Sequence, residues 1–261
     1  MIDKWLVNWN VVEKGVKTAV LLLLGMFLYT RVTSGVVSYY INERFFTLTL
    51  VAGVGFGVLG VSYFRQWLGR QESDAAHDHH HEHHDHDHDL SWVGVLIVML
   101  PLLLGWLVPP RPLGATAVSN REINFGTDPI KSVAAPGGNE VMGIIAGERN
   151  ILDWLGEFQR SGDPVALAGQ RADVIGFVYR DARFGADEFM VARFTVSCCV
   201  ADAAPVGLIV RWPDGAALPT DQWVEVQGRF EVGVFNGRSM PILVAETITK
   251  TEQPPQPYLH L

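Results

Sequence analysis

Three long apolar segments, then short runs in which apolar and polar residues alternate, predict a membrane α-helical N-terminal region joined to an all-β C-terminal domain. The expected division is three transmembrane helices within residues 1–110, a linker at 111–139, and a soluble domain at 140–261. That domain reads as a five-stranded OB-like barrel with a preceding helix. The formal net charge of −8 is local, because Glu72, Asp74, Asp78, Glu82, Asp85, Asp87 and Asp89 all fall between the second and third apolar segments. The remainder is close to neutral. No nucleic-acid partner is expected, since phosphate binding calls for a basic patch.

The first apolar segment, residues 18–30, lies between Lys17 and Arg31, whose stems can snorkel toward the interface, and residues 32–41 are again mostly apolar. A cleaved signal peptide is the alternative, but the exit TRVTSGVVS lacks a small-x-small cleavage pattern, which favours a retained anchor. Residues 45–64 form the clearest span, with twenty uncharged positions. At about 1.5 Å rise per residue they match a hydrocarbon core of about 30 Å. Within it, Gly53 and Gly57 form a GxxxG, followed by Gly60. This face is expected to pack on another span or a partner subunit, although ordinary glycine enrichment of membrane helices gives the same pattern. Residues 90–108 are nineteen uncharged positions closed by Pro109, Pro110 and Pro112, with Pro101 tolerated as a kink. Counting Lys4, Lys14, Lys17, Arg65 and Arg70 against Arg31, Arg44, Arg111 and Arg121 gives five cations to four near span ends. The positive-inside rule then places the C-terminal domain outside the cytoplasm.

The loop at 71–89 carries HDHHHEHHDHDH, which holds eight of the nine histidines: His77, His79, His80, His81, His83, His84, His86 and His88. Neutral imidazole is a good ligand for borderline metals, so Zn2+ or another divalent transition metal is the expected cargo. Such a tract has no fixed geometry and suits capture or buffering. A solvated acidic linker and a pH sensor are the competing readings.

Residues 111–139 are rich in proline and glycine and read as a linker or a segment lying over the membrane surface. Asn150 is a candidate N-cap for a helix through Leu152, Leu155 and Phe158, ended by Ser161-Gly162-Asp163-Pro164. Strand-like runs follow at 172–179, 188–198, 206–212, 223–232 and 242–248, punctuated by Pro213-Asp214-Gly215 and Asn236-Gly237. Alternation along the second run puts Cys198 on a core face with Met190, Ala192, Phe194 and Val196. Cys199 then points to the polar face as a soft metal ligand beside Asp202. No Walker loop, GxSxG or HExxH is present, so no enzymatic activity is expected.

The runs ARFTVSCCVADAAPVGLIV, DQWVEVQGRFE and PPQPYLHL, with Arg193, Phe194, Cys199, Ala201 and Asp202 as the sharpest series, resemble a bacterial family of permease subunits, the YcgQ-like family. The resemblance spans nearly the whole chain. It implies N-terminal spans, a His/Asp-rich loop, a barrel-like C-terminal domain, and partnership with a multi-span membrane permease related to organoarsenical efflux proteins and linked to zinc homeostasis. It implies no particular activity or ligand set, and Arg193 either orients a carboxylate or caps the barrel. The expectation is therefore an integral protein of the bacterial inner or plasma membrane, an accessory subunit of a permease handling zinc. Its histidine loop would capture or sense metal and its barrel would dock to or gate the permease. The alternative is a membrane-anchored sensor whose barrel binds a peptide, lipid headgroup or sugar.

Overall fold

The computed structural model describes residues 2–73, 92–125 and 149–260, with side chains described for 15–65, 93–125 and 149–260. They divide into two compact units, Met1–Val37 with Glu43–Pro110, and Ser38–Asn42 with Arg111–Leu261.

The first unit is helical. Helix α1 runs Ile2–Thr33, α2 Phe46–Ser73 and α3 Trp92–Leu107. The stretches Gly15–Thr33 and Glu43–Arg65 are long and apolar enough to cross a membrane. The third predicted span is an apolar helix of 16 residues. At about 1.5 Å per residue that is about 24 Å, short of a full hydrocarbon core. Two candidate spans therefore stand where three were expected. The first span is longer than its uncharged core suggested, because α1 continues through Arg31. Arg31 donates to the carbonyl of Gly105 and lies over the Phe27 ring at 5.0 Å, so its guanidinium has hydrogen-bond and ring contacts within the helical unit. Several hydroxyls in these helices bond back to their own backbone, among them Thr33 to Tyr29 O at 3.0 Å and Ser62 to Val58 O at 2.8 Å. That satisfies polar atoms where water is scarce.

Glycines set the approach of α1 to α2. A Cβ on Gly25 would lie 2.8 Å from Gly53 O and 3.2 Å from Gly57 N. The predicted GxxxG face thus packs on another helix of the same chain.

The second unit is built on a closed barrel. Its strands are β1 Arg171–Tyr179, β2 Glu188–Val196, β3 Ala204–Arg211, β4 Trp223–Phe235 and β5 Arg238–Lys250. The order β1-β4-β5-β3-β2 closes through β1–β2 pairing, all neighbours being antiparallel except β3–β5. The five-stranded barrel read from sequence is present. Asn236 (φ 51°) and Gly237 (φ 75°) make the tight β4–β5 turn, a geometry that suits the twist of a hairpin.

Helix α5, Ile151–Ser161, plugs the interior. Asn150 accepts from the amides of Leu152 and Asp153, Asp153 reciprocates, and Gly162 closes the helix in the left-handed region. Its buried face is Ile151, Trp154, Leu155 and Phe158, with Trp154 packed on Phe230 at 5.0 Å between ring centroids. Leu152, predicted on this stripe, is only half-buried.

Three features depart from expectation. Residues 111–125, read as linker, lie on the barrel: short helix α4, Ala115–Val118, buries Ala115 and Val118 against Phe177, Met190, Phe194 and Tyr258. Leu113 N donates to the Tyr258 hydroxyl at 2.9 Å. A sixth strand, β6 Tyr258–His260, pairs parallel with the end of β2. Strand β2 stops at Val196, two residues before its predicted end. The rest of the linker, 126–139, and the start of the soluble domain, 140–148, lie outside the described residues.

Candidate functional site

At the end of β2 the ladder gives way to a loop organised by one side chain. The Asp202 carboxylate accepts the amide of Ser197 at 3.0 Å through Oδ1, and those of Cys198 at 2.7 Å and Cys199 at 3.3 Å through Oδ2. Three donors that a longer strand would have spent on the ladder converge on one carboxylate, which is why the strand ends. Burial pushes the Asp202 carboxyl upward, but bonding from the Cys198 thiol and from the three amides outweighs it and holds the group below the ordinary aspartate value.

The segment between α1 and α2 completes the loop's surroundings. Ile41 bridges to Cys199, Val200 N donates to Tyr40 O at 2.8 Å, and Asn42 N donates to Cys198 O at 3.0 Å. The Asn42 side chain, 1% exposed, donates to the carbonyls of Val196 at 3.2 Å and Ser197 at 3.1 Å. From the far side, Arg121 donates to the carbonyls of Ala203 and Val200 and lies over the Phe194 ring at 6.0 Å.

This scaffold brings both thiols to Asp202. The Cys198 and Cys199 Sγ atoms are 3.6 Å apart, and one ligand atom from each of Cys198, Cys199 and Asp202 fits within 4.8 Å of the others. Cys198 is exposed and Cys199 half-buried. The reading of Cys198 as core packing is therefore corrected. Strand alternation ends at Val196, so parity no longer governs where Cys198 points. The signal that would have found it is the aspartate four residues on, a side-chain cap for a turn rather than a continuing strand.

Two soft sulfurs and one carboxylate oxygen are three donors of a tetrahedral set suited to zinc, with the exposed side left for a fourth. The Cys198 thiol is pushed up to about 11, first by its hydrogen bond to Asp202 and then by Cys199. A metal held there would have to displace that proton, so its affinity would rise with pH.

Arg193, the other singled-out barrel residue, is elsewhere. Its Nε donates to Pro257 O at 3.2 Å, Nη2 donates to Gln256 O, and the guanidinium lies 5.9 Å from the Trp223 ring. It fastens the C-terminal segment to the barrel. Burial lowers it to about 10. His77, His79, His80, His81, His83, His84, His86 and His88 lie outside the described residues.

The DUF1980 N-terminal domain matches residues 16–124 and the DUF1980 C-terminal domain residues 143–261. The "UPF0703 protein YcgQ" of Bacillus subtilis is 21% identical over 119 residues, covering 45% of this chain and 39% of that relative. A Streptococcus mutans protein, named "Putative two-component membrane permease complex subunit", is 21% identical over 272 residues, covering 91% of this chain and 94% of the relative.

Proposed function

The chain belongs to the DUF1980 family, of the YcgQ-like type, and from that premise we propose that it is the accessory subunit of a multi-span membrane permease handling a transition metal, zinc above all. The observation that carries this reading is the Cys198–Cys199–Asp202 cluster, a soft, partly open donor set on a chain with membrane-length helices. The histidine loop gathers metal loosely, the cluster holds it more selectively, and the barrel docks to the permease or gates its mouth. The role is binding and transfer, with no bond chemistry.

Chain connectivity supports a third crossing despite the shortness of α3. The chain enters the barrel unit at Ser38–Asn42, after α1, and again at Arg111, after α3. If α1 and α2 each cross, α3 must carry the chain back. The cation bias read from sequence then puts the barrel outside the cytoplasm and the histidine loop inside.

The test is purification of the full chain in mild detergent after crosslinking in cells, with elemental analysis of what elutes. The expected result is a co-purifying multi-span permease and bound zinc. The paired Cys198→Ser/Cys199→Ser chain should retain the permease and lose tightly held metal, whereas deleting 77–88 should lower only the loosely held fraction. A chain that elutes without a permease, or whose zinc content ignores both changes, overturns the proposal.

A further inference from the structure

A second site lies on the barrel away from the thiols. Arg149, Asn150, Asp173, Ile175, Arg193 and Glu225 line an open cleft of about 260 Å³. Four parts of the fold converge to form it. Asp173 and Ile175 alternate along β1, and Glu225 is the β4 partner of Ile175. Gln227, the partner of Asp173, donates to Asp173 Oδ2 at 2.9 Å and to Glu225 Oε1 at 3.5 Å. A neutral amide thus positions both carboxylates without neutralising them. Arg193 follows Ala192, the last β2 residue paired with β1, and so sits where those strands part. Gly176 permits that close crossing, since a Cβ there would lie 2.6 Å from Ala192 O. Arg149 enters from the segment before α5, its guanidinium 5.0 Å over the Trp154 ring and its buried Nε without a hydrogen-bond partner.

The charges in this cleft are balanced but not paired. Among the described residues no ion pair joins Arg149 or Arg193 to Asp173 or Glu225. The hydrogen bonds of the Arg193 guanidinium go to two backbone carbonyls and its face lies against the Trp223 ring, so among the described residues no anionic group balances its charge. A partly buried guanidinium without an acid partner is costly unless an anion reaches it. Two carboxylates in the same lining disfavour a simple anion, however, and favour a ligand that carries its own positive end. Ile175, 38% exposed, adds an apolar contact.

We propose that this cleft binds a small zwitterion, its anionic oxygen group on Arg149 and Arg193 and its ammonium between Asp173 and Glu225. The Arg fork suits a carboxylate or a phosphate equally. The source is then either a free amino acid or the ethanolamine-phosphate group of a lipid or metabolite. The site goes beyond the permease role and does not depend on the thiol cluster.

Calorimetric titration of the full chain in detergent decides it, with L-leucine and phosphoethanolamine as zwitterions and propionate and butylamine as single-charge controls. One zwitterion should bind at least about tenfold more tightly than either control. Leucine alone would identify an amino-acid site, phosphoethanolamine alone a headgroup-type site, and both the general class. Arg149→Gln and Glu225→Gln, neither of which disturbs the Arg193 anchor on the C-terminal segment, should each weaken that zwitterion about tenfold or more. Absence of binding up to about 10 mM, controls that bind as well, or unchanged affinity in both variants would overturn the proposal.

Discussion

Asp202 shows how one side chain both ends a strand and creates a site. Its depressed carboxyl titration links stability to pH with a definite sign. A group held below its unfolded value stabilises the fold fully above that value, about 3.9 for aspartate, and the contribution disappears as pH falls through the lower folded value. Acid unfolding of the wild-type chain should therefore steepen below about pH 4, and Asp202→Ala should flatten that limb while lowering stability at pH 7. A pH series of thermal melts in detergent checks this; identical limbs would remove Asp202 from the account. Asn42 is the second residue of consequence. Its buried amide makes two bonds to the carbonyls at the end of β2, so Asn42→Ala should cost about 1–3 kcal/mol of barrel stability. Retained stability with normal zinc content would mean that the loop docks without it. The Asp202 cap is signalled by its spacing from Cys198, whereas the role of Asn42 was not legible in the sequence. Asn42 lies 156 residues from Cys198 along the chain, and no local pattern reports a contact of that range.

At the scale of elements, the α1–α2 pair rests on backbone proximity at Gly25 and Gly53. Gly25→Leu should separate the helices and lower disulfide crosslinking between cysteines placed on their facing sides, whereas Gly55→Leu, with nothing within 4 Å of the added carbon, should not. Equal crosslinking in both variants would contradict this packing. For α5, whose buried Trp154 packs on Phe230, Trp154→Ala should destabilise the barrel by about 3–5 kcal/mol, read as a loss in the far-UV melting temperature. Local periodicity served well for these elements, since β4 and the α5 cap follow from alternation and from Asn150. It failed where both faces of a strand are covered. Phe189 and Val191 face the interior, whereas Met190, Ala192 and Phe194 lie under residues 111–125, so alternation on β2 does not separate core from surface. The third span shows the converse limit: its apolar run is evident in sequence, yet among the described residues its helix covers 16 positions.

For the whole molecule, the histidine tract dominates the sequence, while among the described residues the clustered donors are two cysteines and an aspartate that composition alone would pass over. The topology inferred for the chain is open to direct measurement. In a background with both native thiols replaced by serine, single cysteines at Ser34 and Ser197 should react with a membrane-impermeant reagent from one side, and a cysteine at Asp74 from the other. Labelling of all three from one face would exclude three crossings. The docking of Ser38–Asn42 onto the barrel has a further consequence. A fragment beginning after α3 would lack a piece that belongs to its own fold. Excised halves should consequently be poorly behaved, and a synthetic peptide of residues 36–43 supplied in trans should rescue them, as in fragment complementation. During synthesis, that early piece must wait until nearly all of the remaining chain has emerged before its seat exists.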